Sequence, residues 1–103
     1  MSKSPHITII TVTYNCAHLL EKTIDSILIQ DFNDYEYLVI DGQSTDGTLD
    51  VIRKNQQHIT YWCSEKDKGI YDAMNKGIKK ATGKWIIFLN AGDTFANNNV
   101  LTK

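Results

Sequence analysis

Proline is nearly absent from this chain of 103 residues: Pro5 is the only one, and it lies ahead of the first apolar segment. A Pro-rich linker between domains is therefore excluded, and no helix or central strand is interrupted by an imide. Cysteine is scarce too. Cys16 and Cys63 are too few and too far apart for a disulfide framework, and they read as small, half-buried hydrophobes of a reduced protein. No signal peptide is read, and the early run Ile7 to Val12 is too short for a membrane span. Neither sign of charge is in excess: Lys plus Arg number 11, Asp plus Glu 12, and the formal net charge is -1. A general nucleic-acid binder needs a basic stripe to release counterions, so that class is excluded. No G-x-G-x-x-G follows the first strand and no G-x-x-x-x-G-K-S/T occurs, which excludes the usual dinucleotide fold and the P-loop. His6, His18 and His58 are scattered without zinc-ligand spacing.

What is present reads as one globular α/β unit, or part of a larger one: 42% of residues are hydrophobic and 22% charged. Ile7 to Thr13 is a β-branched run that predicts a buried strand. Between Leu19 and Ile29, apolar residues at Leu20, Ile24, Ile27 and Leu28 form the stripe of an amphipathic helix. Tyr37 to Ile40 predicts a second strand, and Ser44 or Thr45 is placed to cap a helix facing inward through Leu49 and Ile52. Ile59 to Cys63 predicts a third strand. Ile70, Ala73, Met74, Ile78 and Ala81 mark another helix, with Gly83 in the place of a C′ glycine. Trp85 to Leu89 predicts a fourth strand, and Asn97 to Asn99 could open one more helix.

Strands apolar on both faces, alternating with helices, imply an open, mainly parallel sheet covered on both sides. Ligands of such sheets bind beyond the carboxyl ends of the strands. Those ends read Tyr14-Asn15, Asp41-Gly42-Gln43-Ser44, Ser64-Glu65-Lys66-Asp67 and Asn90-Ala91-Gly92-Asp93. Polar and acidic groups gather there, whereas the strands themselves are apolar.

Four segments carry a resemblance. Ile7 to Asn15 (ITIITVTYN) resembles the opening strand of family 2 glycosyltransferases, and Val39 to Thr48 (VIDGQSTDGT) their second-strand signature. Ser64 to Gly77 (SEKDKGIYDAMNKG) is similar to a branch linked to bacterial exopolysaccharide and colanic-acid synthesis. Ala81 to Asp93 (ATGKWIIFLNAGD) resembles the family's metal-site strand. They occur in order and cover most of residues 7 to 93.

The resemblance implies a Rossmann-like GT-A fold and inverting transfer from a nucleotide-diphospho sugar, UDP-linked by default, to a saccharide or lipid-linked saccharide acceptor. It implies that Tyr14 packs on the base, with the backbone near Val12 beside it. Asp41 and Gly42 take the base edge, where a carboxylate can accept from a ring N–H. Asp67, Gly69 and Asn90 lie near the nucleotide, and Asp93 matches the last acid of a motif holding Mg²⁺ or Mn²⁺. Such an ion would neutralise charge on the leaving diphosphate. Family members commonly carry two or three acids here, but Asp93 stands alone in Asn90-Ala91-Gly92-Asp93.

No residue matches the general base that an inverting transferase requires. Residues 1–103 are therefore expected to be the donor-binding part of a cytoplasmic enzyme, at most at the inner face of a membrane. Such a part would be inactive alone and prone to self-association through an uncovered apolar surface. The rival reading is a non-catalytic nucleotide-binding or regulatory α/β module. The bland reading makes Asp41 a turn former, Asp67 a cap of the third helix, and Ser44, Thr45 and Asp46 caps of the second. Asp72 and Asn75 would line the pocket or only decorate the first turns of the third helix, and Lys76, Lys79, Lys80 and Lys84 form a solvated face.

Overall fold

The structure is a computed structural model describing residues 6–30, 34–66 and 68–91. Asp67, Asp93 and the expected helix start at Asn97 to Asn99 lie outside the described residues. The elements run β1 (Ile7–Thr13), α1 (Ala17–Leu28), β2 (Tyr35–Asp41), α2 (Thr48–Lys54), a single 3₁₀ turn (Gln56–His58), β3 (Tyr61–Ser64), α3 (Ile70–Lys80) and β4 (Trp85–Phe88). All three strand pairings are parallel and the spatial order is β3-β2-β1-β4. β1 is central. The chain steps outward from it to β2 and β3, then crosses back to place β4 on its other side.

Alternate residues of β1 and β2 feed two cores, as a pleated strand buried on both faces requires. Ile7, Ile9, Tyr37 and Val39 pack with Leu20, Ile24 and Ile27 of α1 and Ile52 of α2. On the opposite face, Ile10, Val12, Leu38 and Ile40 meet Ala73 of α3. α3 comes close because Gly77 has no side chain: a Cβ there would stand 2.7 Å from Ile10.

β1 carries threonines where a purely apolar strand would carry valines, and two of them have work to do. The Tyr37 hydroxyl donates to Thr11 Oγ1 (2.7 Å), and Thr11 donates to the Leu89 carbonyl (2.6 Å). Burial pushes the Tyr37 hydroxyl far up from its ordinary value, so it stays protonated and can donate. Thr8 donates to Glu36 (2.7 Å) and accepts from the Gly83 N–H (2.8 Å). Glu36 also accepts from the Thr82 N–H (2.6 Å) and hydroxyl (3.0 Å), which pins the α3–β4 connection to the start of β1 and β2.

Several boundaries differ from the sequence reading, each for a tertiary reason. β2 begins at Tyr35 because β1 offers ladder partners from Ile7 onward, and Glu36 is tolerated there because its carboxylate is satisfied. β3 is shifted two residues at its start, since pairing with β2 begins at Leu38 and Tyr61. Ile59 is buried ahead of it without joining the sheet. α2 opens at Thr48, so neither Ser44 nor Thr45 caps it. Gly83 is not a left-handed C′ glycine either. α3 ends at Lys80 with Ala81 extended, and a Cβ on Gly83 would meet the Thr8 backbone nitrogen at 2.6 Å. Close approach to β1, and not a helix cap, is what requires glycine at position 83.

The Glu36 clamp makes stability depend on pH. Burial raises its carboxyl, but hydrogen bonds from Thr82, Thr8 and Gly83 outweigh burial and lower it below the ordinary glutamate range. A depressed carboxyl contributes stability that is full above the unfolded-state value and lost as pH falls through the folded one. Urea midpoints should therefore fall between about pH 5 and pH 3, and Glu36→Gln should flatten that dependence. At pH 7, Glu36→Ala should cost about 2 kcal/mol, read from the same denaturation curves, because it leaves buried donors unpaired.

Candidate functional site

The carboxyl ends of β1, β2 and β3 are held together by one carboxylate. Asp41 closes β2, paired in register with Thr13 and Ser64, and has no exposed surface. Its Oδ2 accepts from the Ser44 N–H (2.8 Å) and the Ser64 hydroxyl (2.7 Å), and its Oδ1 from the Ser44 hydroxyl (2.5 Å). Ser44 Oγ in turn accepts the Asn15 N–H (2.8 Å). Asn15 Oδ1 answers across the gap, taking the N–H groups of Thr45 (2.7 Å) and Asp46 (3.3 Å).

Asp46 continues this lacing. One of its oxygens accepts from the Thr48 N–H (2.9 Å) and, in a very short bond, the Thr48 hydroxyl; the other accepts from the Ala17 N–H (3.4 Å). Thr48 Oγ1 takes the Cys16 N–H (3.1 Å). The first turns of α1 and α2 thus share their caps, and orphan donors of both are satisfied from one loop. The Thr48 hydroxyl, more than any other group, lowers the Asp46 carboxyl below the usual aspartate range.

Above this floor opens a cleft of about 670 Å³, lined by Val12, Thr13, Tyr14, Cys16, Gly42, Gln43, Lys66, Gly69, Ile70, Ala73, Asn90 and Ala91. It sits outside the carboxyl ends of β1 and β4, where strand order 3-2-1-4 places the change of direction of the chain. Tyr14 stands on one wall, 59% exposed. The start of α3 contributes Gly69, Ile70 and Ala73 to the lining. Gly69 precedes it at φ 119° and ψ 178°, a backbone region essentially reserved for glycine. The turn is braced by Asp72, which accepts from the Lys68 N–H (2.9 Å), and by Lys76, which donates to the Lys66 carbonyl (3.2 Å) and pairs with Glu65 (3.1 Å).

Among the described lining residues, Lys66 carries the only charge. Two oxygens on lining residues, Thr13 Oγ1 and Asn90 Oδ1, are buried and have no hydrogen-bond partner among the described residues. Orphaned oxygens of this kind are costly and point to a group that arrives with a ligand or water. Among the described residues no three His, Cys, Asp or Glu side chains gather to hold a metal ion.

Val12, Tyr14, Gly42, Gly69 and Asn90 are therefore brought together in one cleft, as their places at strand ends suggested. Asp41 is not among them. A carboxylate with three internal bonds and no exposure shapes the loop from beneath instead of facing a ligand, which corrects the expectation that it takes a base edge directly. Asp72 caps the turn before α3, and Asn75 is exposed away from the cleft. The sequence reading did not single out Thr13, Cys16, Gln43, Lys66, Ile70, Ala73 and Ala91 as lining residues; all lie within three positions of a strand end or in the first turn of α3, which is the signal that could have found them.

Comparison with known proteins agrees with this geometry. Residues 8–103 match the profile of Glycosyl transferase family 2. A "PGL/p-HBAD biosynthesis glycosyltransferase" of Mycobacterium bovis is 38% identical over 97% of this chain and 40% of its own length. The chain thus spans about 40% of the length of that relative. Mannosyltransferase PcManGT from Pyrobaculum calidifontis, solved with GDP-Man and Mn²⁺, superposes with a TM-score of 0.82 at 29% identity, covering 94% of this chain and 30% of that one. S. aureus TarS in complex with UDP-GlcNAc superposes at 0.77 and 25% identity, covering 84% and 26%.

Removing the Asp41 carboxylate should loosen three strand ends at once. Asp41→Ala is expected to cost about 3 kcal/mol in chemical denaturation, since it unpairs Ser44 and Ser64 and opens a buried void. Ser64→Ala, which deletes one of the three bonds, should cost about 1 kcal/mol in the same measurement.

Proposed function

The chain belongs to Glycosyl transferase family 2, and from that premise we propose that its cleft binds the nucleotide of a nucleotide-diphospho sugar, in the service of glycosyl transfer. The observation that carries this reading is the cleft itself. An exposed tyrosine and the start of an eleven-residue helix line one cleft at hydrogen-bonded strand ends, with one exposed lysine in the lining. A ring stacks on the tyrosine face. The start of α3 and Lys66 suit the negative charge of a diphosphate. The floor is rigid because its polar groups are bonded to one another, so little ordering cost falls on the ligand.

The donor proposed is UDP-linked, with GDP or dTDP as the alternatives; TarS holds UDP-GlcNAc and PcManGT holds GDP-Man. The acceptor proposed is a saccharide or lipid-linked saccharide of the exopolysaccharide type, glycosylated with inversion, and residues 1–103 are the donor-binding part. Asp67 is assigned to the nucleotide on the same footing. The reading places the protein in the cytoplasm or at the inner face of a membrane. Cys16 and Cys63 form no disulfide with each other, and among the described residues no helix is long and apolar enough to cross a membrane. Self-association belongs to the same reading: β4 is an edge strand, and Trp85 and Ile86 on it are 60% and 40% exposed.

A divalent cation fits the residues present if it is held by few protein groups. Asn90 contributes one unpartnered hard oxygen, and Asp93, three positions on, would add the carboxylate. Bound there, Mg²⁺ or Mn²⁺ would stabilise the charge of the leaving diphosphate. The chain's own residues act around it by stacking the base, presenting Lys66 and keeping the strand ends fixed.

Calorimetric titration of UDP, GDP and dTDP, with and without Mn²⁺, tests this reading. One nucleotide should bind, more tightly with Mn²⁺, and Asp93→Ala should abolish the metal enhancement. Tyr14→Ala should weaken binding about tenfold or more, the scale of a lost base–aromatic stack. Absence of binding by any of the three would overturn the assignment.

A further inference from the structure

We propose that Gln43, and not Asp41, presents the side chain that reads the base edge of the bound nucleotide and so sets base preference. This rests on the donor-site reading above and names the residue through which that site discriminates.

Among the described residues, two other than glycine have positive φ, Asn15 at 49° and Gln43 at 67°. Asn15 is accounted for, because asparagine tolerates this region and its side chain ties two loops together. Gln43 is different. The turn needs a left-handed residue there so that Ser44 can fold back onto Asp41, and glycine would meet that need without strain. The loop's hydrogen bonds run through Asp41, Ser44, Thr45 and Asp46, and the Gln43 side chain contributes none of them among the described residues. A left-handed backbone at a residue other than glycine, carrying a long amide with no hydrogen bond among the described residues and lining the cleft, points to a ligand contact.

The chemistry of the amide says what it meets. It offers one acceptor and one donor side by side, the complement of a ring N–H next to a carbonyl. Uracil, thymine and guanine carry that edge. The edge lies farther from the ribose in a purine than in a pyrimidine, so an amide on a backbone fixed by the Asp41 lacing meets one ring size and misses the other. Asp41 cannot take this part, being buried beneath the loop with its oxygens engaged.

Titration of UDP and GDP into the 103-residue chain and its Gln43→Gly variant, with thermal unfolding of both, decides the matter. The native chain should prefer one base, and Gln43→Gly should weaken the preferred nucleotide about tenfold, narrowing the ratio between the two. The same variant should unfold about 4 °C higher, because strain is relieved. Opposite signs on binding and stability are what a purely structural residue would not show. Unchanged preference in the variant, or no preference in the native chain, overturns the role of Gln43 and leaves the donor site standing. No nucleotide binding by the native chain overturns both.

Discussion

The carboxylate of Asp41, closed off from solvent at the end of β2, is the point from which the cleft edge of this protein takes its form. A buried charge is tolerated only when its lone pairs are taken up, and here two serines do so. Ser64 thereby fixes the end of β3 against β2, and Ser44 turns the loop after β2 back toward β1, where it meets Asn15. Three strand ends become one floor. The starts of α1 and α2 follow, because the same loop supplies Asp46 and Thr48 to cap them.

β2 carries a second buried carboxylate, Glu36, toward the opposite edge of the sheet, and the pair shows one principle used twice. Each acid accepts from hydroxyls and N–H groups that come from other elements, so each converts a desolvation cost into a fixed crossing of chains. At the Glu36 end the result is structural: the connection into β4 is held against β1 with no room for a side chain at Gly83. At the Asp41 end the result is the floor of a cleft. Between them the two cores, one under α1 and α2 and one under α3, need only apolar residues of the right size.

The cleft is chemically sparse, and that suits a ligand that brings its own charge. Its described lining offers one aromatic face, one lysine, glycine backbone at Gly42 and Gly69, and two unpartnered oxygens. The nucleoside diphosphate proposed as its ligand would supply what is missing: a ring for Tyr14, and anionic oxygens for Lys66 and the α3 start. The chain belongs to Glycosyl transferase family 2 and superposes on PcManGT and TarS, which were themselves solved with nucleotide sugars.

The sequence by itself determined the order of strands and helices, because hydrophobic period is a local property and each burial stripe lies within about a dozen residues. It also pointed to the edge of the sheet where the cleft lies, since polar residues clustered after every strand and parallel α/β sheets bind ligands there. It placed Val12, Tyr14, Gly42, Gly69 and Asn90 at strand ends or at the α3 start that the structure joins into one cleft. Only the tertiary structure decided which polar residues face the cleft and which support it. Asp41 and Gln43 are only two positions apart, at the end of β2 and in the loop after it; bonds to Ser44 and Ser64 hold the first inside, and the second has a left-handed backbone and lines the cleft. Gly83 read as a helix cap until β1 was seen lying against it. The reason is distance along the chain. Asp41 meets a partner 23 positions away, Asn15 one 30 away, and Thr11 one 78 away, so these roles arise only when the strands have been laid side by side.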